Sequence, residues 1–289
     1  MTMATSSKTN VAPKAHFGNV LRSEWIKFTS VRSTMWCLGT FFLLMVGFSA
    51  LFCAITVNQW AKHLEEVINF DPVTASLAGV TMGSLAIGVL GVLMVTAEYG
   101  SGSIRSTFAA VPRRSQVLIA KVLVLAASVG VVAVVAEVIA FFLGQAILGS
   151  SKGHGHFITL GPVTVADHPP SVSLSDPGVV SALGATVSYL VCLALLTAGL
   201  GFLIRHTAGA ISAFVGILFP LFLLVVLLPA AFRDRLEKFL PLQIQQSVVA
   251  SKPLQGTPVL STWHGIVVMA LYAAVLLGVG AVLLERRDA

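Results

Sequence analysis

Charged residues are scarce in this sequence, and their scarcity indicates its class. Asp, Glu, Lys and Arg make up 10% of the 289 residues, whereas soluble domains carry about 25%. Hydrophobic residues reach 56%, and the mean hydropathy is +0.91. This composition excludes an ordinary soluble domain and indicates a polytopic membrane protein. The net charge of +6 is expected to reflect membrane topology, and no nucleic-acid partner is predicted.

Motifs of catalysis and nucleotide binding are also missing. The phosphate-binding pattern GxxxxGK[ST] occurs nowhere in the sequence. No combination of serine, histidine and acid within the apolar runs suggests a hydrolase. We therefore expect no catalytic residues and no enzyme activity in this chain, and any nucleotide that drives it must bind to another chain.

The sequence gives little support for a metal site or a disulfide. The three cysteines lie inside apolar runs without CxxC spacing, so neither a disulfide nor a zinc site is predicted. His154, His156, Asp167 and His168 lie in the loop 149–178, whose Gly and Pro content predicts irregular surface chain. Histidines in such loops are more often solvated than metal-bound, so no metal site is predicted.

Six apolar runs are each long enough to cross a hydrocarbon core, which needs about 20 helical residues. Lipid-exposed backbone must satisfy its own hydrogen bonds, so these runs are predicted to be helices. The predicted fold is therefore all-α, with a six-helix transmembrane domain over 35–284. The predicted spans are 35–57, 75–97, 117–146, 179–204, 208–228 and 263–284.

Two local patterns bear on how these spans pack. Gly79 and Gly83 form a GxxxG pair in the second span, which favours a close helix contact within the chain or between subunits. Pro220 is expected to bend the fifth span because it frees a backbone carbonyl.

The Lys and Arg residues predict the orientation. If the N-terminus is inside, twelve of the 18 lie on the inner side and six on the outer side. The positive-inside rule then places both termini in the cytoplasm. Residues 1–14 lack the apolar segment of a secretory signal and are predicted to be a disordered cytoplasmic start. Residues 285–289 are predicted to be a cytoplasmic tail.

Two further segments show amphipathic spacing. Between residues 15 and 34 apolar side chains recur every three or four positions, with basic and hydroxyl residues on the other side. This pattern favours a helix in the headgroup layer over an ordinary polar flank. The segment 231–240 is predicted to be a short amphipathic helix on the outer membrane surface.

The stretch from Thr96 to Lys121 is a compact polar interval between the second and third spans. Glu98 comes where the dipole of the second helix disfavours an acid, so a basic or backbone-donor partner is predicted for it. Gly100 or Gly102 is expected to end that helix in the left-handed conformation. Ser103 is then expected to cap a short helix over about 103–111, which ends before Pro112. Its apolar side carries Ile104, Phe108 and Val111. The basic residues in and just after this helix are Arg105, Arg113 and Arg114.

Glu137 lies deep inside the third span, in the sequence VVAEVIAFF. An unpaired carboxylate in lipid costs several kcal/mol, so Glu137 should face other helices or water. It is either a group on a substrate or proton path, or a neutral or hydrogen-bonded carboxyl that ties two helices together.

The order of these features resembles a known family. LRSEWIKFTSVRSTMW precedes the first span, and Glu98, the run Gly102–Ser103–Ile104, the pair Pro112–Arg113 and Lys121 follow the second. This order, with six spans, is similar to the permease subunits of type-two ATP-binding-cassette (ABC) exporters, especially the short single-domain kind of actinobacteria. Ser103 stands where that family is expected to have threonine, and the loop after the third span is longer than expected.

The resemblance implies a function and partners. The helix 103–111 would be the coupling helix that docks on a separate ATPase subunit, with Glu98, Gly102, Ile104, Arg105, Phe108, Val111, Arg113 and Arg114 as the coupling residues. Two permease chains, identical or related, would pair with two ATPase chains that bind ATP and Mg²⁺, in the bacterial plasma membrane and in contact with its lipids. The helix before the sixth span would help to close the outer side. An amphipathic or lipid-like small molecule, drug or peptide is the expected cargo.

Two alternatives remain at this point. The chain is a proton-coupled secondary transporter that uses Glu137, or it is a membrane partner of an ATPase that transports nothing. The first predicts transport that survives the loss of ATP, and the second predicts ATPase binding without flux.

Overall fold

The computed structural model describes residues 16–60, 70–110, 114–150, 157–160, 163–166, 168–252 and 259–287. Within these residues, six helical segments are long and apolar enough to span a membrane. The prediction of a helical polytopic protein is therefore confirmed, with six helical segments that could span a membrane and one short β-hairpin that was not predicted. The predicted disordered start, 1–14, lies outside the described residues.

The helices in chain order are α1 (Phe17–Ser30), α2 (Arg32–Gln59), α3 (Pro72–Ser76), α4 (Val80–Gly100), α5 (Ser103–Ala110), α6 (Arg114–Ser150), α7 (Val179–Ile204), α8 (Thr207–Leu218), α9 (Pro220–Val226), α10 (Ala230–Leu236), α11 (Pro241–Val249) and α12 (Thr262–Arg287). A 3-10 turn, Glu237–Phe239, follows α10. The spans are α2, α4, α6, α7, the pair α8 and α9, and α12.

Helices α4 and α7 form the centre of the bundle. In the most apolar part of each, 61% of the residues are buried, against 22% in α2 and 17% in α12. Small residues allow α4 to approach its neighbours closely. A Cβ atom at Gly91 would collide with the backbone of α7 at Ala194, and one at Gly79 would collide with Met45 of α2. The GxxxG pair therefore serves a contact within the chain, since a Cβ at Gly83 would also meet α2, at Phe41.

The predicted continuous helix over 15–34 is wrong in its extent, because the helix is interrupted at Val31, between α1 and α2. Val31 has an extended backbone (φ −84°, ψ 117°). Near the end of α1 the hydroxyls of Thr29 and Ser30 donate to carbonyls one turn back, at Trp25 and Ile26, which favours bending or ending a helix. The first span begins at Arg32, three residues before its predicted start.

Two other spans are interrupted. The predicted second span, 75–97, includes the end of the short helix α3 and a turn at Leu77–Gly79, and its long helix α4 starts only at Val80. Asp71 caps α3, since its carboxylate accepts from the N–H of Val73 at 3.0 Å. The fifth span divides at Phe219, and Pro220 begins α9. The predicted effect of Pro220 is thus confirmed as a break between two helices.

The loop predicted as irregular, 149–178, contains regular structure. Helix α6 continues to Ser150, and β1 (Phe157–Leu160) pairs antiparallel with β2 (Val163–Ala166), with Phe157 opposite Ala166. The prediction is wrong for these residues. Alternating hydrophobic and β-branched residues in FITL and VTVA favour strands.

The segment before the sixth span holds two helices with different surroundings. The predicted helix 231–240 corresponds to α10 and the 3-10 turn, where Phe232 and Leu236 are exposed. The following helix, α11, was not predicted. It is mostly buried, and its Gln245 side chain donates to Thr81 and accepts from Ser84 on α4. Helix α11 therefore packs into the bundle, at the end opposite to α1.

Candidate functional site

The end of α4 and the start of α5 form a tight backbone turn. Gly100 is helical, whereas Gly102 has a φ of +71°, a left-handed conformation that glycine adopts without a steric penalty. The prediction of a left-handed glycine is thus confirmed at Gly102. Ser103 is the first residue of α5, and the hydroxyl of Ser101 accepts from its N–H at 3.4 Å.

A cluster of four charged side chains lies beside this turn: Glu24 and Lys27 of α1, Glu98 of α4 and Lys121 of α6. We call these four residues the charge cluster. The Lys121 Nζ lies 2.7 Å from Glu24 Oε2 and 2.8 Å from Glu98 Oε1. The Lys27 Nζ lies 2.8 Å from Glu24 Oε1 and 3.3 Å from Glu98 Oε1. Each ammonium therefore bridges both carboxylates, and the cluster joins three helices. The predicted basic partner of Glu98 is confirmed.

Burial makes this pairing necessary. Glu24 is 1% exposed and Lys121 is 3% exposed, and a buried charge without a partner costs several kcal/mol. Burial raises the pKa of Glu24, but Lys121 and Lys27 outweigh it and hold the pKa below its ordinary value of 4.5. For Lys27, burial lowers the pKa, and Glu24 and Glu98 outweigh it and raise the pKa above 10.5. Both groups are therefore charged at neutral pH.

One hydrogen bond connects the charge cluster with α5. The Lys27 Nζ donates to the Thr107 Oγ1 at 3.0 Å, and the Thr107 hydroxyl donates to the carbonyl of Ser103 at 3.1 Å. Thr107 is thus held both by its own helix and by α1. A displacement of α5 relative to α1 would stretch or break this contact, whereas a joint displacement of the two helices would keep it.

The end of α4 has a second set of contacts, with the turn between α7 and α8. The guanidinium of Arg205 lies over the ring of Tyr99, 4.9 Å from its centroid, a cation–π geometry. The hydroxyl of Thr207 donates to that of Thr96 at 3.0 Å. Arg205 has a φ of +58°, which is uncommon for a residue other than glycine. Four elements, α1, α6, α5 and this turn, therefore meet at the end of α4.

A small cavity adjoins the charge cluster. It has a volume of about 60 Å³ and is lined by all four cluster residues together with Phe28, Met94 and other residues of α1, α4 and the start of α2. Such a volume is large enough for water. One oxygen of Glu98, Oε2, is buried and has no hydrogen-bond partner in the described part of the chain. The cavity thus offers space where the cluster can change its hydration.

The predicted coupling residues have different positions. Glu98 belongs to the charge cluster, and Gly102 forms the turn. Arg114 donates to the carbonyl of Leu284 at 2.8 Å, and so connects the start of α6 with the last turns of α12. Arg105 and Phe108 belong to α5, but their side chains lie outside the described part of the structure. Val111 and Arg113 lie outside the described residues.

Ile104 lies on the predicted apolar side of α5 and is covered within the chain. Its side chain is 8% exposed. Ile104 therefore contributes to the chain's own packing, and a partner could reach little of its surface.

Glu137 lies within α6 and is 1% exposed. Both of its carboxyl oxygens are buried, and neither has a hydrogen-bond partner among the described residues. Of its two predicted roles, a hydrogen-bonded link between helices therefore has no support in the described contacts. Among the described residues no group of three or more His, Cys, Asp and Glu side chains could hold a metal ion. His154, His156 and Asp167 lie outside the described residues.

Sequence reasoning missed three members of the charge cluster as site residues. The amphipathic spacing of 15–34 predicts only a polar side for Lys27, and the resemblance gives no partner for Lys121. Glu24 and Lys27 are three residues apart, a spacing that places them on one side of a helix. The signal in the sequence for a cluster is this acid and base just before the first span, together with Glu98 and Lys121, whose partners the sequence alone does not show.

Comparison with known proteins adds no identification. No protein-family model matches the chain, and no curated protein matches it. The function must therefore be inferred from the residues and the geometry.

Proposed function

We propose that this chain is the membrane-spanning permease subunit of an ABC transporter that exports an amphipathic or lipid-like small molecule, drug or peptide. ATP and Mg²⁺ would be bound by a separate ATPase subunit, present in two copies, and a second permease chain would complete the pore. The distribution of Lys and Arg predicts that both termini lie in the cytoplasm. This orientation would place α5 on the side of the ATPase.

The observation that carries this proposal is the attachment of α5 to the charge cluster. Helix α5 lies between two spanning helices, α4 and α6, and Lys27 joins it to α1 through Thr107. A push on α5 by an ATPase would therefore reach α1, α4 and α6 together. Because both lysines bridge both carboxylates, these helices are expected to move as a unit when α5 moves.

The composition also bears on the cargo. The buried polar residues of the described chain are few beside its apolar core, so a hydrophilic solute would find little to replace its hydration. An amphipathic solute with a long apolar part requires fewer polar contacts. This argument supports an amphipathic cargo.

The proposal is tested by isolating the tagged chain from its native membrane and identifying its subunits. We expect a soluble ATPase with a phosphate-binding loop. Phe108→Asp should abolish the recovery of this ATPase and transport, because the sequence places Phe108 on the apolar side of α5. Ser106→Asp is the matched control, since it adds the same charge at an exposed position about 200° around the helix. Retention of the ATPase and of transport in Phe108→Asp would contradict the coupling role. Recovery of the ATPase without any flux would favour a non-transporting partner.

The burial of Glu137 favours a second candidate, a proton-coupled secondary transporter. A carboxyl enclosed in a spanning helix, without a hydrogen-bond partner among the described residues, is the kind of group that such transporters protonate. This candidate predicts flux in vesicles that contain no ATP, and loss of that flux in Glu137→Gln. ATP-dependent flux that persists in Glu137→Gln would exclude it.

A further inference from the structure

An open groove runs between α1 and α6 on the side away from the charge cluster. It has a volume of about 540 Å³, within the range of about 300–1,000 Å³ typical of small-molecule sites. Helix α1 contributes Leu21, Arg22 and Trp25, and α6 contributes Leu123, Val124 and Ala127. The groove is therefore apolar along its length, with one cationic side chain at its wall.

Arg22 differs from the basic residues of the charge cluster. It is exposed and makes no ion pair in the described part of the chain, whereas Lys27 and Lys121 each contact two carboxylates. Trp25 lies one turn away on the same side of α1 and is 49% exposed. Arginine and tryptophan together at the end of a spanning segment are typical of the headgroup layer.

The apolar wall of the groove faces the region that lipid occupies. Leu123 is 46% exposed although it belongs to a spanning helix. Helix α1 meets α6 through Val20, which packs against Val117 and Ala120. This contact lies near the start of α6, and Leu123, Val124 and Ala127 continue the groove along the apolar part of the same helix.

We propose that this groove binds an anionic phospholipid. The guanidinium of Arg22 would hold the phosphate, and an acyl chain would lie along Leu123, Val124 and Ala127 beside Trp25. A free phosphate ion would use Arg22 alone and leave the apolar wall uncovered. The complementarity of one unpaired cation with an apolar groove therefore favours a lipid, and this site does not depend on whether the chain is a transporter.

The test uses phospholipids with brominated acyl chains, which quench tryptophan fluorescence at short range. The full chain is purified in detergent and titrated with brominated phosphatidylglycerol or brominated phosphatidylcholine. Trp25→Phe identifies the part of the signal that belongs to the groove, since Trp36, Trp60 and Trp263 also fluoresce. We expect the Trp25 signal to be quenched at a lower concentration of phosphatidylglycerol than of phosphatidylcholine.

Two variants separate the headgroup contact from the acyl contact. Arg22→Gln should raise the half-saturating concentration of phosphatidylglycerol about fivefold and that of phosphatidylcholine by a smaller factor, because the choline cation already opposes the guanidinium. Gly18→Leu should weaken both lipids, because Gly18 lines the groove and its Cβ position faces open space. Arg32→Gln is the matched control, an exposed arginine that does not line the groove, and it should behave like the wild type.

Three results would overturn the proposal. Equal quenching by both lipids in the wild type would indicate ordinary solvation by the bilayer. Full competition by inorganic phosphate would indicate an anion site only. Absence of Trp25 quenching by either lipid would indicate that no acyl chain lies in the groove.

Discussion

The two ends of the helical bundle are held together by different chemistry. At the α1 end, Glu24, Lys27, Glu98 and Lys121 form the charge cluster. At the opposite end, neutral amides and hydroxyls make the connections. Gln145 of α6 donates to the carbonyl of Pro72 at 3.1 Å and to the Ser76 hydroxyl at 2.9 Å, and accepts from the N–H of Val172 at 2.8 Å.

A carboxylate at the opposite end is also held by neutral donors. Asp71 accepts from the N–H and the hydroxyl of Ser251, both at 2.7 Å, and so joins the start of α3 with the end of α11. Directional hydrogen bonds fix one arrangement of the groups that make them. In the charge cluster, in contrast, each ammonium contacts two carboxylates and can lose one contact while it keeps the other. The comparison indicates a rigid end and an end that can rearrange without leaving a buried charge alone.

The largest expected effect follows from removing one cation of the cluster. Lys121→Met should destabilise the protein by about 3–5 kcal/mol, because it leaves the buried Glu24 with half of its compensation. Thermal unfolding of the purified protein in detergent measures this loss. The double variant Glu24→Gln, Lys121→Met should be more stable than the single variant, because it removes both buried charges. A double variant as unstable as Lys121→Met would show that the loss comes from packing.

Acidification should weaken the same cluster. The pKa of Glu24 in the folded protein is lower than its ordinary 4.5, so its stabilising contribution is present above pH 4.5 and is lost as the pH falls through the folded value. The raised pKa of Lys27 gives a contribution that is present below pH 10.5 and is lost above it. Unfolding temperature measured against pH should therefore fall more steeply below pH 4.5 in the wild type than in Glu24→Gln. Parallel curves would contradict this assignment.

A smaller effect is expected at the neutral end. Gln145→Leu keeps the approximate volume and removes three hydrogen bonds, which should cost about 1–3 kcal/mol. Unlike the contribution of Glu24, which is lost at acidic pH, this loss should not change with pH, because no charge is removed. Ser150→Ala is a suitable control on the same helix, since its exposed hydroxyl bonds only to the carbonyl of Ile147. A loss in Gln145→Leu that changes on acidification as in Glu24→Gln would remove the distinction between the two ends.

The sequence predicts the spans better than the contacts between them, and the two ends show why. Hydropathy over about 20 residues locates each span because lipid imposes one rule on all of them. The partner of Glu98 could be predicted as basic from the helix dipole, but Lys121 and Glu24 are 97 residues apart. No local pattern relates residues at such a distance, so the cluster required the packing of three helices.

The same reason explains the unpredicted helix α11. Its sequence, PLQIQQSVV, is short and rich in glutamine, and exposed polar helices often have such a composition. Its burial depends on hydrogen bonds with α4, in which the side chain of Gln245 both donates and accepts. The polar residues that suggest exposure are the residues that allow this helix to be buried.

The smallest predicted effect on stability tests the link between the charge cluster and α5. Thr107→Val keeps the shape of the side chain but removes the acceptor for Lys27, at an expected cost of about 0.5–1.5 kcal/mol. Since Lys27 retains its contacts with Glu24 and Glu98, the cluster should survive and the protein should fold normally. ATPase activity of the assembled complex should then respond less to transported cargo, because α5 is no longer tied to α1. Thr29→Val, on the exposed side of α1, removes a hydroxyl that bonds only within its own helix and should leave the response unchanged. An unchanged response in Thr107→Val would mean that α5 moves α4 and α6 through the backbone alone, and the rearranging end of the bundle would then have no part in coupling.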